Sequence, residues 1–132
     1  MKTLGRHLLV ELYNCDPMII KNVRKIEDIM VGAAKAANCH IVDVVFHNFS
    51  HHGISGVVVV AESHLSIHTW PEYCFASIDI YTCGDEVDPW KAYKYLLKQL
   101  RAKNVTALEM KRGVLNIPNR DKRDAPLALT RI

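Results

Sequence analysis

The chain has 132 residues, of which 49% are hydrophobic and 23% charged, and its net charge is +3. This composition is typical of a single soluble globular domain. The charge is too small, and too little interleaved with aromatic residues, to indicate nucleic-acid binding. The longest apolar stretch is too short to span a bilayer, and the N-terminus lacks the apolar region of a signal peptide. Four cysteines without Cys-x-x-Cys spacing favour free thiols and a cytoplasmic location.

The first half of the chain predicts three strands and one helix. Asp16-Pro17 combines an N-cap residue with proline at the first helical position. Apolar residues then recur at spacings of three and four up to about Asn38, which predicts one continuous helix. Apolar runs predict the strands, and a segment rich in Gly, Ser and Asn predicts a loop. The strands are expected at residues 4–13, 40–49 and 57–60, and the loop at 48–56.

The second half predicts a strand, a helix and a last strand. Residues 75–81 alternate between polar and apolar types, as expected for a half-buried strand. Asp88-Pro89 repeats the capping signature, and the apolar stripe after it predicts a helix to about Lys103. A last strand is expected at residues 105–111. The basic segment 113–132 predicts a loosely ordered tail, attached through Val114-Leu115 or through residues 127–129.

This order of elements predicts the fold class. Two helices separated by several strands favour an α+β protein, a two-layer sandwich with a mostly antiparallel sheet and both helices on one face. We therefore expect one domain over residues 1–112, followed by the tail. Such a layer leaves the other sheet face bare, and in a chain this short a second copy is the simplest cover. The sequence thus predicts a homodimer.

Polar side chains are concentrated between the strand that ends at Val60 and the strand that begins at Phe75. Residues 61–73 read AESHLSIHTWPEY and contain two glutamates, two histidines, a tryptophan and several hydroxyl groups. Polar groups at the end of a buried strand are costly unless they are paired. Their density in this segment indicates a functional site.

Three chemistries are compatible with these residue types. Several histidines favour a metal site, although their spacing matches no standard ligand pattern; they are His47, His51, His52, His64 and His68. Alternatively, Cys83 is a nucleophile with His68 as its partner, provided that pairing of their strands brings the two together.

The third chemistry is self-cleavage at Ser63. The serine hydroxyl attacks the preceding carbonyl, and the resulting ester is opened by β-elimination. The dehydroalanine that remains hydrolyses to a pyruvoyl group and ammonia. This reaction needs a well-held peptide, an oxyanion donor and a base, for which Ser55 and His68 are candidates. On residue types alone, the three chemistries stay open.

Several motifs together resemble the small prokaryotic S-adenosylmethionine decarboxylase proenzymes, and the matches run from about residue 3 to residue 103. The similar segments are Gly5-Arg6-His7-Leu8, Gly53-Ile54-Ser55-Gly56-Val57-Val58, Glu62-Ser63-His64-Leu65, Ile67-His68-Thr69-Trp70-Pro71-Glu72, Thr82-Cys83-Gly84 and Asp88-Pro89-Trp90-Lys91-Ala92. The combination of Glu-Ser-His with Thr-Trp-Pro-Glu is specific. The resemblance makes self-cleavage the leading interpretation.

The resemblance implies that the chain cuts itself between Glu62 and Ser63. The products are a β chain of residues 1–62 and an α chain of residues 63–132, in which Ser63 becomes a covalent pyruvoyl group that forms a Schiff base with the substrate amine. Its carbonyl accepts electrons when CO2 leaves. His68 is the expected proton acceptor in processing, with Ser55 assisting, and Cys83 is the expected proton donor to the product.

The resemblance also implies the substrate, S-adenosylmethionine, and a role in spermidine synthesis. Phe49 and Trp70 are expected to flank the adenine and face the sulfonium, and Glu72 to hold the ribose; Leu65 is a further expected substrate-binding residue. The family resemblance implies dimers of the processed unit. Two alternatives stay open: an arginine decarboxylase of the same family, and a regulatory relative that is never cleaved.

Overall fold

The computed structural model describes residues 2–50 and 53–116, which form six strands and three helices. The strands are β1 (Lys2–Tyr13), β2 (Ile41–Asn48), β3 (Ile54–Val60), β4 (Ser63–Trp70), β5 (Phe75–Cys83) and β6 (Asn104–Leu115). The helices are α1 (Pro17–Ile20), α2 (Val23–Ala36) and α3 (Pro89–Gln99), and one 3-10 turn covers Pro71–Tyr73. None of the helices in these ranges is long and apolar enough to cross a membrane.

All six strands belong to one sheet, in the order β2-β3-β4-β5-β1-β6. Each neighbouring pair is antiparallel. Most of the polar segment 61–73, which the sequence predicts as a functional site, forms β4. This strand lies in the interior of the sheet between β3 and β5.

One face of the sheet is packed against the helices. Alternate residues of the four inner strands are buried there, as the period of two requires, and they include Leu8, Val10, Val58, Leu65, Ile78 and Ile80. From the helices, α2 contributes Ile26, Met30 and Ala33, and α3 contributes Ala92 and Leu96. The predicted two-layer α+β fold with an antiparallel sheet and helices on one face is confirmed.

The first helical segment differs from the prediction because it is broken at Lys21 and Asn22. The Asn22 side chain accepts a hydrogen bond from the Lys25 backbone N–H at 3.2 Å, so it caps the start of α2. Asparagine satisfies a free N–H at a helix start better than it fits a helix interior. The single helix predicted from Asp16 to Asn38 is therefore wrong, although the apolar stripe was identified correctly.

Two strand boundaries also differ from the prediction. The loop expected to reach Gly56 ends at Gly53, because Ile54 already pairs with Asn48 and Gly56 with Phe46. Gly56 suits this pairing, since the Phe46 ring occupies the space of a Cβ atom. At the other end, β6 runs beyond the expected strand end at residue 111 to Leu115, and the attachment expected at Val114-Leu115 takes the form of pairing with β1. The expected contact through residues 127–129 lies outside the described residues.

Candidate active site

The sheet face opposite the helices carries most of the polar side chains of β4 and β5. One row of cross-strand partners on this open face runs from β3 to β1. It consists of Ser55 on β3, His68 on β4, Ser77 on β5 and Glu11 on β1. The Ser77 hydroxyl donates to the Glu11 carboxylate at 3.0 Å. The next row toward the other end contains Ser66 and Asp79. In the described part of the chain, the open face therefore carries rows of polar side chains that run across the inner strands.

Ser63 begins β4 with an unusual backbone conformation. Its φ angle is 141°, a region that side chains of L-residues rarely adopt and that costs about 1–3 kcal/mol. It follows the tight turn of Ala61 and Glu62 that joins β3 to β4. Strain of this kind persists only where neighbouring contacts hold the backbone, and it occurs preferentially at functional sites.

The peptide between Glu62 and Ser63 is held by the end of β5. The Glu62 carbonyl accepts a hydrogen bond from the Cys83 backbone N–H at 2.8 Å. The Ser63 Oγ lies 3.1 Å from His64 Nδ1, and Ser63 pairs with Thr82 across the strands. The structure thus brings together three predicted residues, Glu62, Ser63 and Cys83.

The Glu62 carboxylate is bound by His40, which precedes β2. One carboxylate oxygen accepts from the His40 backbone N–H and the other lies at His40 Nδ1, each at 2.8 Å. The hydrogen bond from His40 lowers the pKa of Glu62, and the same contact raises the pKa of His40. Sequence reasoning missed His40, because nothing in the sequence indicates that a residue 22 positions earlier faces this turn.

A second group of predicted residues lies at the other end of β4. Ser55 and His68 are direct cross-strand partners, and the His68 and Trp70 rings lie 4.2 Å apart. Trp70 continues into an aromatic row with Phe75 and Tyr13, each step 5.2 Å between ring centroids. Phe49 is 49% exposed, and its N–H donates to the Gly53 carbonyl. Glu72 lies on the exposed 3-10 turn after Trp70.

The first group (Glu62, Ser63 and Cys83) and the second group (around His68 and Trp70) are far apart within one chain. Ser63 and His68 are five residues apart on β4, which corresponds to roughly 16 Å along a strand. Cys83 lies six residues from Ser77, the partner of His68 on β5. The strands do pair as expected, but their register separates the two side chains. The predicted Cys83–His68 dyad is therefore wrong within one chain.

Leu65 lies on the opposite face of the sheet from these residues. Its side chain is fully buried among the helix-facing residues, because it alternates with the open-face residues His64 and Ser66. Its side chain is therefore turned away from the open face, and its role in substrate binding stays a prediction.

Sequence reasoning missed a polar network between the two groups. His7 Nε2 lies 2.9 Å from one Asp79 oxygen, and the Ser66 hydroxyl donates to the other at 3.0 Å. The alternation of residues 75–81 was the available signal, since it places Asp79 on the polar face. As for metal binding, no three potential ligands converge within residues 2–50 and 53–116, and His51 and His52 lie outside those ranges.

Comparisons with known proteins agree with one another. The model of the family described as S-adenosylmethionine decarboxylase matches residues 6–113. Proteins named S-adenosylmethionine decarboxylase proenzyme from Thermoanaerobacter sp. (strain X514) and Clostridium tetani are 53% and 50% identical over 118 residues, which is 89% of this chain and 95% and 94% of theirs. The crystal structure of the adenosylmethionine decarboxylase from Aquifex aeolicus VF5 superimposes with a TM-score of 0.85 at 39% identity. That match covers 92% of this chain and all of the other.

Proposed function

Because this chain belongs to the S-adenosylmethionine decarboxylase family, we propose that it is a self-cleaving, pyruvoyl-dependent enzyme that converts S-adenosylmethionine to its decarboxylated form and CO2, for spermidine synthesis. The observation that carries this proposal is the strained Ser63, with φ of 141°, joined to a carbonyl that already accepts a hydrogen bond from the Cys83 N–H. The names of the relatives, which include the word proenzyme, support cleavage of the chain.

The geometry supports the first step of self-cleavage. The Ser63 hydroxyl attacks the Glu62 carbonyl carbon, and negative charge develops on an oxygen that lies 2.8 Å from the Cys83 N–H. A donor placed at such an oxygen stabilises the transition state. Conversion of the peptide to an ester also releases the constraint on the Ser63 backbone. Elimination then frees Glu62 as a carboxylate at residue 62, and hydrolysis of the remaining dehydroalanine yields the pyruvoyl group and ammonia.

The residues around Ser63 fit a pyruvoyl group. Ser63 is half-buried at the end of the sheet, so the new terminus has room for a substrate. When formed, the group supplies an electrophilic carbonyl that accepts electrons as CO2 leaves. The thiol of Cys83, also half-buried, is the group that we assign as proton donor to the product carbon.

The open face supports binding of a nucleoside with a positively charged sulfur. The aromatic row that contains Trp70 and the exposed Phe49 offer π faces for the adenine and for the sulfonium, where cation–π attraction contributes about 0.5–2 kcal/mol. Glu72 adds a carboxylate for the ribose hydroxyls. Arginine has no purine to stack, so this surface favours S-adenosylmethionine. Turnover of arginine in place of S-adenosylmethionine would contradict this choice.

The separation of the two groups supports a shared site in a homodimer. A His68 that lies roughly 16 Å from Ser63 on the same strand cannot act as its base. If two open faces stack about a two-fold axis perpendicular to the strands, the Ser63 end of one β4 lies over the Trp70 end of the other. Under this arrangement, Ser55, His68, Phe49 and Trp70 of one copy complete the site around Ser63 and Cys83 of the other.

Intact-mass measurement of the purified, denatured protein tests the cleavage. We expect two fragments, residues 1–62 and 63–132, with the second blocked by a pyruvoyl group. The Ser63→Ala variant is the control and should give one chain of full mass. A wild-type protein that stays whole would overturn the proposal and would favour the regulatory relative.

A further inference from the structure

The residue that binds the Glu62 carboxylate lies next to the bond that is cut. We propose that His40 is a positioning residue for self-cleavage, which holds Glu62 so that the scissile carbonyl stays on the Cys83 N–H. This inference rests on the proposed function, because it concerns the rate of the same cleavage.

Besides the pairing of Val60 with Ser63, four hydrogen bonds hold the turn before Ser63, and three of them involve His40. Its N–H and Nδ1 hold the two oxygens of the Glu62 carboxylate, each at 2.8 Å. Its carbonyl accepts from the Ala61 N–H at 2.8 Å. The fourth bond is the one from the Cys83 N–H to the Glu62 carbonyl, also at 2.8 Å. Glu62 is therefore held at both its side chain and its carbonyl.

The position of His40 follows from an irregularity in β2. Ile41 pairs with Val60, but Asp43 pairs with Val59, so the register shifts by one residue around Val42. An extra residue of this kind bends a strand and redirects its neighbours. His40 comes directly before this irregularity, beside the turn that joins β3 to β4.

The contact between His40 and the Glu62 carboxylate matters because the next residue, Ser63, has a strained backbone. A φ of 141° is retained only while adjacent residues are immobilised, and Glu62 is the residue on the carbonyl side of the strained one. If its side chain is released, the turn gains freedom and the scissile carbonyl leaves its donor for part of the time. A loss of geometry of this kind lowers the rate of a reaction that depends on prior alignment.

The attraction between His40 and Glu62 depends on pH, because both side chains can gain or lose a proton. The groups that face His40 are Glu62 on the turn and Glu86 in the segment before α3, and the hydrogen bond to Glu62 is the main cause of the raised pKa of His40. Nearby, burial and then the charge of Glu62 raise the pKa of Cys39 to about 11, so its thiol stays neutral. Because the pKa of His40 is raised, the ion pair is complete below the usual histidine pKa and is lost as pH rises through the raised value. Because the pKa of Glu62 is lowered, the pair is also lost in strong acid.

Pulse-labelled cell-free synthesis followed by a pH-controlled chase measures the cleavage rate on denaturing gels. Because His40 is 77% exposed in its side chain, we expect a modest effect, with His40→Ala about two- to fivefold slower than the wild type at pH 6. His40→Asn keeps a neutral donor near the Nδ1 position and should recover part of the rate. Lys35→Ala, which removes an exposed cation on α2, is the matched control and should cleave at the wild-type rate.

The ratio of wild-type to His40→Asn rates isolates the charge of His40. It should be largest near pH 6 and should fall at alkaline pH, where His40 loses its charge. In the Glu62→Gln background, His40→Ala should cause little further slowing, since the partner charge is already absent. Equal rates for His40→Ala and wild type across the pH range, or fully additive effects in the double variant, would overturn the inference. If the wild type itself is never cut, the proposed function fails instead.

Discussion

Cys83 contributes two different groups to the site. Its backbone N–H donates to the Glu62 carbonyl at the proposed cleavage point, whereas its thiol is the proposed proton donor in decarboxylation. Only the second group is removed by a change of side chain. A single substitution at this position can therefore separate the two reactions.

We expect Cys83→Ala to be cleaved at a rate within about tenfold of the wild type, because the N–H remains. Its decarboxylation should fall by about 10²-fold or more, the usual contribution of a positioned acid. Gel analysis of cleavage and release of labelled CO2 check the two parts. Cys74→Ala, at the opposite end of β5, serves as the matched control. Full turnover by Cys83→Ala would show that another group donates the proton.

At the scale of single residues, the motifs predicted one group of neighbouring residues, whereas residue types alone did not predict distances between side chains. The motifs named Glu62, Ser63 and Cys83, and the structure places all three around one peptide. Residue types alone offered a Cys83–His68 pair on the condition that strand pairing brought the two together, and residue types carry no information on strand register. His40 was missed for the same reason, since its contact depends on a local irregularity in β2.

At the scale of elements, the break between α1 and α2 depends on one side chain. Asn22 caps α2 through its bond to the Lys25 N–H. We expect Asn22→Ala to lower the free energy of unfolding by about 1 kcal/mol, the usual effect of losing an N-cap. Urea unfolding of the uncut Ser63→Ala protein measures this on a single chain. Lys21→Ala, an exposed neighbour, should change stability much less, and an equal loss in both variants would contradict the capping role.

The elements that the sequence predicted well are those in which apolar residues recur at a regular spacing. Residues 75–81 alternate, and they form the greater part of β5. The apolar stripe of α2 gave the helix face that packs on the sheet. The segment 54–56 was predicted as a loop because its glycine and serine are common in turns, but pairing with β2 determines its structure. Contacts distant in sequence override local propensity at that point.

At the scale of the whole molecule, the uncovered sheet face has the character of an interface. It exposes apolar side chains beside its polar rows, namely Leu9, Val45, Val59, Leu108 and Met110. The sequence predicted this bare face from the order of its elements alone. It could not predict that the expected site residues would lie at opposite ends of β4 and β5, since that division follows from the register of the two strands.

A complementation experiment tests the shared site. The His68→Ala chain keeps its own Ser63, and the Ser63→Ala chain keeps its own His68. When the two are co-expressed with different tags, we expect the His68→Ala chain to be cut, because its partner supplies the base. Expressed alone, neither variant should be cut. If co-purified mixed dimers contain only uncut His68→Ala chains, His68 does not act across the interface.

The order of strands in the sheet has a consequence for the proposed cut at residue 62. The fragment 1–62 holds β1, β2 and β3, and the fragment 63–132 holds β4, β5 and β6. Because the sheet order is β2-β3-β4-β5-β1-β6, β1 is enclosed by two strands of the other fragment. The uncut chain assembles this sheet in an intramolecular reaction, whereas separated fragments must first meet in solution. Once denatured, the cleaved protein should therefore refold at a rate that depends on its concentration. The uncut chain forms the interleaved strand order quickly, whereas its two cleavage products reach the same order only slowly.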